Sequence, residues 1–423
     1  MHYGGGIVKK YIINGGKPLV GELSVSGAKN SVLPILAATV ISGKSSLISN
    51  IPMLRDVEVM IEILNSLGAK VKLGNGNVII DSSSISSVSL PEELVREMRS
   101  SIIFMGALLA RFGEAKLSYP GGCEIGPRPI DLHLKSLRQM GAVIEEAHGY
   151  LYCKTKGLKG TDIQLDYPSV GATENIMLAA VTAEGTTIIR NAAREPEIID
   201  LQNYLNKAGG RIKGSGTSII VIEGVKTLDE CSHNIIPDRI VAGTYMVASA
   251  ITKGEIVLNN IVVDHLQSII AKLRETGTYI DINDNSIKVI GPENIKPIEM
   301  LQTLPFPGFP TDMQAQFMTL LSLGKGTSII NETVFENRFK HGEELARMGA
   351  NIKTFGKIAV IKGVEELTGA RVYAKDLRGG AALVLGGLRA KGITEVENIY
   401  HIKRGYENFH ANLQKLGADI KLA

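Results

Sequence analysis

Cysteine is scarce in this chain, and its three copies are badly placed for pairing. Cys123, Cys153 and Cys231 are odd in number and far apart. That excludes a disulfide framework and a CxxC-type zinc site, and it points to a reducing compartment. Long apolar runs are also missing. The longest early one, SVLPILAATVISG, covers 13 positions, too few for a helix that crosses a bilayer. The opening MHYGGGIVKKYIINGG has no apolar core of signal-peptide type, so the expected location is the cytoplasm. Charge of one sign is nearly balanced at +3, and no run of Lys and Arg is interleaved with aromatics; nucleic acid is not an expected partner. No HExxH, paired-carboxylate metal loop or GxGxxG between strand and helix occurs. SGKSS at 42–46 ends like a P-loop, but it lacks the first glycine and follows a helix instead of opening one. Neither a metal nor a cofactor is expected.

Glycine is plentiful instead. Its 46 copies in 423 residues exceed the usual ~7%, so many turns or helix ends need a residue without Cβ. The glycines recur in register. SLGAKV, QMGAVI, KAGGRI, ETGTYI, RMGANI and KLGADI carry Gly68, Gly141, Gly209, Gly277, Gly349 and Gly417, spaced 68 to 73 residues apart. An amphipathic helical pattern precedes each tag, as in VEVMIEILNSLGA, and the glycine fits the left-handed cap that closes it. Gly43, Gly113, Gly185, Gly254, Gly326 and Gly392 end a second series, such as FMGALLARFG and YMVASAITKG. These helices are apolar on nearly every side, which marks them as buried. A short strand follows each. The unit is helix, strand, helix, strand and usually a hairpin strand, six times over. GNGN at 74–77 and SGTS at 215–218 read as hairpin turns.

The expected fold is therefore α/β, with six repeats, helices inside and sheets outside. The opening YIINGGKPLVGELSVSG resembles the closing strands that follow the other repeats, as in AVIKGVEELTGARVYAKD, so it is expected to complete the sixth. That defines one three-repeat domain at 29–236 and another from 1–28 plus 237–423, with a cleft between them. The first helices open with Lys29 and Asn30, Arg99, Ser169, Asp238 with Arg239, Asp312, and Arg378. Arg55, Arg128, Arg194, Arg338 and Arg404 precede the second helices in five of six repeats. Helix N-termini carry partial positive charge, and Arg grips phosphate or carboxylate with two parallel bonds. Together they suggest a small polyanionic substrate, although any single arginine could instead pair with a nearby acid, as in REPE or FENR. Cys153, in GYLYCKT, alternates like a buried strand residue, and Cys231 reads as inert in a polar linker. The eight histidines are scattered and read as ordinary surface or core residues.

One loop remains odd. SYPGGCEIGPRPIDLH sets Cys123 among glycines and prolines, which a buried structural thiol does not need. With SGAKNSVLP at 26–34, NAAREPEI at 191–198, FPTDMQAQ at 309–316, ETVFENRF at 332–339 and YHIKRGYE at 400–407, it resembles the UDP-N-acetylglucosamine enolpyruvyl transferase family. The similarity runs from about residue 11 to the C-terminus. It implies a two-domain inside-out α/β barrel and transfer of the enolpyruvyl group of phosphoenolpyruvate to a sugar-nucleotide hydroxyl, the first committed step of peptidoglycan synthesis. It assigns Lys29, Asn30, Arg128 and Arg404 to phosphoenolpyruvate. Arg99, Arg128, Pro129, Ile130, Asp131, Leu132, Ser169, Val170, Asp312 and Val334 are assigned to UDP-N-acetylglucosamine. Cys123 is implied as the reactive thiol and proton donor, alkylated by fosfomycin, on a loop that orders with the sugar nucleotide. Asp312 is a candidate base, and Lys29 and Arg404 complete the catalytic set. DYPSV at 166–170 departs from relatives that carry a basic residue before the Ser–Val pair. A monomer acting on these small molecules is the expected state. Two alternatives stand at this point: transfer to shikimate 3-phosphate, and a non-catalytic sugar-nucleotide sensor.

Overall fold

Each repeat is organised around one helix that has no solvent face. The computed structural model describes residues 9–121 and 130–423. These fall into two compact units, 27–121 with 130–236, and 9–26 with 237–423. In the first, helices Lys29–Ser42, Phe104–Phe112 and Val170–Ala180 pack on one another in the interior. In the second, Arg239–Thr252, Gln314–Leu321 and Leu377–Arg389 do the same. Small residues let the backbones close in. A Cβ at Gly106 would stand 2.3 Å from the backbone oxygen of Asn175 on the neighbouring inner helix. The second helix of each repeat is amphipathic and lies further out: Arg55–Leu67 buries Val57, Met60 and Leu64 and exposes Glu58 and Glu62.

The described strands form six separate small sheets outside these helices, rather than one continuous barrel wall. Five of the six sheets take a strand from outside their own repeat. Strand Ser45–Ser49 pairs antiparallel with Asn77–Asp81 of its own hairpin and parallel with Cys231–Asn234, which comes from the end of the third repeat. Asp162–Gln164 is lent forward to Thr186–Arg190 in the same way, and Met300–Gln302 to Thr327–Asn331. The N-terminal segment takes part twice in the second unit. Tyr11–Asn14 lies antiparallel between Ile393–Glu397 and Asp419–Leu422, and Val20–Ser24 runs parallel to Glu255–Asn259. Each unit thus closes a ring of strand exchange among its three repeats.

All six tag glycines have φ between 92° and 105°, the left-handed geometry that a Cβ penalises. The second series departs once. Lys253, not Gly254, takes the left-handed turn, with φ 55°. Gly254 is needed for space, because a Cβ there would meet the Leu19 oxygen at 2.3 Å. Cys153 is buried in strand Tyr150–Lys154, as its alternation implies. Cys231 differs from its reading as a linker residue: it is buried and opens the lent strand. The polar appearance of that stretch reflects an edge strand with alternate residues outward. Among the described residues no helix is long and apolar enough to cross a membrane.

Gly106→Ala forces two inner helices apart, so denaturant titration is expected to show a loss of about 1–3 kcal/mol. An unchanged midpoint would contradict the close approach.

Candidate active site

In the unit that holds 27–236, Lys29 is the first residue of its inner helix, and its Nζ lies 3.0 Å from Asp56 Oδ2. Both are buried, at 9% and 4% exposure. Two charges so deep are tolerable only as a pair. Asn30 follows on the same turn, half-buried. Arg99 opens the short 3-10 turn Arg99–Ile103 that leads into Phe104–Phe112. Ser169 caps the helix Val170–Ala180, its hydroxyl accepting the Ala172 N–H at 3.3 Å. Ile130 precedes the helix Asp131–Gln139; it is buried, Asp131 is exposed and Leu132 is half-buried. Arg99, Ile130, Asp131, Leu134, Lys135 and Arg138 border a groove of about 500 Å³. Cys123, Arg128 and Pro129 lie outside the described residues.

His133, which the sequence offered only as an ordinary histidine, ties these segments together. Asn175 Oδ1 accepts the Gly106 N–H at 2.7 Å, so its amide nitrogen is the donor toward His133 Nδ1, 3.0 Å away. The remaining proton of the neutral ring is then on Nε2. A Cβ at Gly171 would lie 3.2 Å from the imidazole Cε1, so the start of Val170–Ala180 backs directly onto the ring. Burial, with help from Arg99, lowers the His133 pKa to about 4. Its only sequence signal was its place beside Leu132 in RPIDLH.

Two of the arginines read as anion ligands have other partners or none. Arg55 begins the outer helix and donates from Nε and Nη2 to Glu97 at 2.6 and 2.8 Å, and from Nη1 to Glu62 at 2.6 Å. Glu97 first and Glu62 second hold its pKa above the usual value. Arg194 is exposed and makes no ion pair among the described residues.

In the unit that holds 237–423, Asp312 sits on the 3-10 turn Thr311–Met313 ahead of Gln314–Leu321. Arg338 Nη2 donates to its Oδ1 at 2.7 Å, and Arg378 Nη2 to its Oδ2 at 3.1 Å. The guanidinium groups are 4% and 3% exposed, but the carboxylate side chain is 26% exposed. It is therefore partly open to solvent and backed by two hidden cations. Burial alone would raise its pKa, but Arg378 and Arg338 outweigh that and hold the carboxyl well below the usual range. The Arg378 guanidinium lies 5.3 Å over the Tyr406 ring, a cation–π contact. Arg404, half-buried, is two residues before that tyrosine at the end of Tyr400–Lys403. Val334 comes near Asp312 through Glu332, which the sequence did not single out. Glu332 Oε1 accepts the Val334 N–H at 2.8 Å, and Oε2 accepts the Thr311 hydroxyl at 2.8 Å. His341 is buried beside Arg338, with its pKa lowered to about 4, first by burial and then by Arg338, against the pull of Asp376.

A family model described as EPSP synthase (3-phosphoshikimate 1-carboxyvinyltransferase) matches residues 13–413. The chain belongs to the EPSP synthase family. Within this family, its likeness is to proteins named UDP-N-acetylglucosamine 1-carboxyvinyltransferase. It is 55% identical over 411 residues to one from Caldanaerobacter subterraneus subsp. tengcongensis, covering 97% of this chain and 99% of that one. One from Carboxydothermus hydrogenoformans is 53% identical over 414 residues, 98% of each chain. Among solved structures of the family, the enolpyruvyl transferase NikO from Streptomyces tendae superposes with a TM-score of 0.90 at 25% identity, over 98% of this chain and 99% of that one. EPSP synthase from Acinetobacter baumannii superposes at 0.77 with 18% identity, covering 99% and 100%, a likeness of fold.

Replacing Arg338 or Arg378 by Met leaves Asp312 with one buried cation. The other arginine still matches the carboxylate, so denaturant unfolding is expected to register a loss of about 1.5–3 kcal/mol from the lost charged hydrogen bond; an unchanged midpoint would contradict the pairing. The two depressed histidines set a pH dependence. Their folded pKa is about 4 against 6.5 unfolded, so the unfolded chain takes up protons first as pH falls. The stability from the neutral rings is complete above about pH 6.5 and is lost toward pH 4. Melting temperatures should fall across that window, and more shallowly in a His133→Gln, His341→Gln variant. A variant with the same slope as the parent would reject this assignment.

Proposed function

We propose that this chain transfers the enolpyruvyl group of phosphoenolpyruvate to the 3′-hydroxyl of UDP-N-acetylglucosamine and releases phosphate. The observation that carries the reading is 55% identity across 97% of the chain to a protein named for that reaction. In this reading Lys29, Asn30, Arg128 and Arg404 take the phosphate and carboxylate of phosphoenolpyruvate. Arg99, residues 128–132, Ser169, Val170, Asp312 and Val334 take the sugar nucleotide. Arg and Lys are suited to this, because the C–O bond breaks and not P–O, and fixed positive charge stabilises the departing phosphate.

The chemistry runs by addition and elimination. Protonation of C3 of the enol phosphate leaves C2 cationic, and the sugar hydroxyl attacks C2. The tetrahedral phosphate ketal then loses a C3 proton and phosphate, which restores the double bond. Cys123 is the proposed proton donor at C3. Asp312 is the proposed acceptor of the hydroxyl proton. A carboxylate with so low a pKa is a weak base toward a resting alcohol, but the alcohol becomes strongly acidic as its oxygen bonds to C2. A well-oriented weak base then suffices, and Arg338 and Arg378 supply the orientation. The proposal extends to the first committed step of peptidoglycan synthesis in the cytoplasm, hence to cell-wall growth and division, and to a monomer inactivated by fosfomycin.

Phosphate release from phosphoenolpyruvate tests this directly. UDP-N-acetylglucosamine is expected to support turnover, and shikimate 3-phosphate is not. Sugar-nucleotide binding without phosphate release would instead favour the sensor reading. Lys29→Met should lower kcat/KM by about 10²–10³-fold, and Asp312→Asn should lower kcat by about 10²–10⁴-fold. Cys123→Asp should remove fosfomycin inactivation; an inactivated Cys123→Asp protein would reject the thiol as its target.

A further inference from the structure

The first turn of the helix Lys29–Ser42 keeps the Ser31 and Val32 N–H bonds to the Ala28 carbonyl, at 3.1 and 3.0 Å, but lacks one bond further on. Pro34 lies inside this helix, so no N–H reaches back to the Asn30 carbonyl, and the ring crowds that oxygen. The turn is also held from outside. Asp56 grips Lys29 on one side. Ser31, two residues on and about 200° round the helix, points the opposite way and is completely buried. Its hydroxyl donates to Asp200 Oδ2. Asp200 is 2% exposed and lies on the outer helix Pro196–Lys207 of the third repeat. Its Oδ1 is engaged by His233 Nε2 at 2.8 Å, from the lent strand Cys231–Asn234. The Ile236 N–H approaches Oδ2 at 3.4 Å, and the Ile236 carbonyl accepts the N–H of Ala28, the residue before Lys29, at 2.7 Å. Asp200 thus reaches the Lys29–Asn30 turn by two routes, through the Ser31 side chain and through the backbone of 236 and 28.

A polar cluster this deep is not needed for stability, since well-packed apolar groups often do as well. What it adds is a fixed direction, because hydroxyl and carboxylate hold one geometry where methyl groups would slide. We propose that Asp200 is a positioning residue for the phosphoenolpyruvate-binding turn, acting on Lys29 and Asn30 through Ser31, with His233 orienting its carboxylate. This rests on the reading of Lys29 and Asn30 as phosphoenolpyruvate ligands. Asp200 touches no substrate; it sets the angle at which the turn offers its side chains.

The test is phosphate release with each substrate varied in turn, on the parent protein, Ser31→Ala and Asp200→Asn, with melting curves for each. Ser31→Ala is the milder change, and it leaves the Asp200–His233 bond in place. The expected result is a rise in KM for phosphoenolpyruvate of about five- to tenfold in Ser31→Ala, as for loss of one hydrogen bond, and more in Asp200→Asn. KM for UDP-N-acetylglucosamine should stay within about twofold, with the Ser31→Ala melting temperature near that of the parent. Unchanged KM for phosphoenolpyruvate in both variants of an active parent overturns the proposal alone. So does a parallel loss of melting temperature and kcat with both KM values unmoved, which is the mark of a structural role only. A parent that releases no phosphate overturns the enzymatic reading, and this inference with it.

Discussion

Five of the six sheets are completed by a borrowed strand. In each of these five, one central strand pairs antiparallel on one side and takes a parallel partner from another repeat on the other. An unpaired edge there would leave a row of backbone groups open to any passing strand. The preceding repeat supplies the partner, and the three repeats of each unit close on themselves in this way. In the second repeat the lent segment is reduced to a single bridge, Ser89 to Lys116, beside a three-stranded sheet. Because the exchange is the same in kind all round each ring, the inner helices are held in equivalent orientations, with their starts equivalently placed.

Ionised groups at or packed against the starts of those helices are buried with specific partners. Lys29 is matched by Asp56, Asp312 by Arg338 and Arg378, and Asp200 by Ser31 and His233. A buried charge without a partner would shift its protonation or unfold its surroundings. Each such set of partners therefore keeps a buried charge matched and constrains its angle. The second consequence is the useful one for chemistry. A side chain locked by a buried counter-ion needs little rearrangement when charge develops near it, and fixed dipoles and charges of this kind stabilise transition states most effectively.

The same pairing sets proton affinities in opposite directions. Two arginines keep Asp312 ionised at any ordinary pH. Burial keeps His133 and His341 neutral, so uncharged imidazoles lie close to Arg99 and Arg338. A neutral ring with its Nε2 proton fixed by Asn175 donates one directed hydrogen bond, where a charged ring would repel the neighbouring guanidinium. Charge in this protein is placed by burial and pairing rather than by composition, which is close to neutral.

The order of helices and strands, their period, and the glycines that end the outer helices were all legible in the sequence. They depend on local rules, such as the 3.6-residue pattern and the cost of a Cβ at positive φ. The loop and helix-start motifs carried the family resemblance for the same reason, since each is a short contiguous string. The partners were not legible. Nothing local distinguishes Arg55, locked to Glu97 and Glu62, from Arg338, which holds Asp312, and nothing in RPIDLH announces that Asn175 will orient His133. Apart from Arg55–Glu62, seven positions along one helix, those choices join residues 26 to 69 positions apart. They were made only when the rings of repeats closed and burial forced each charge to find its nearest opposite.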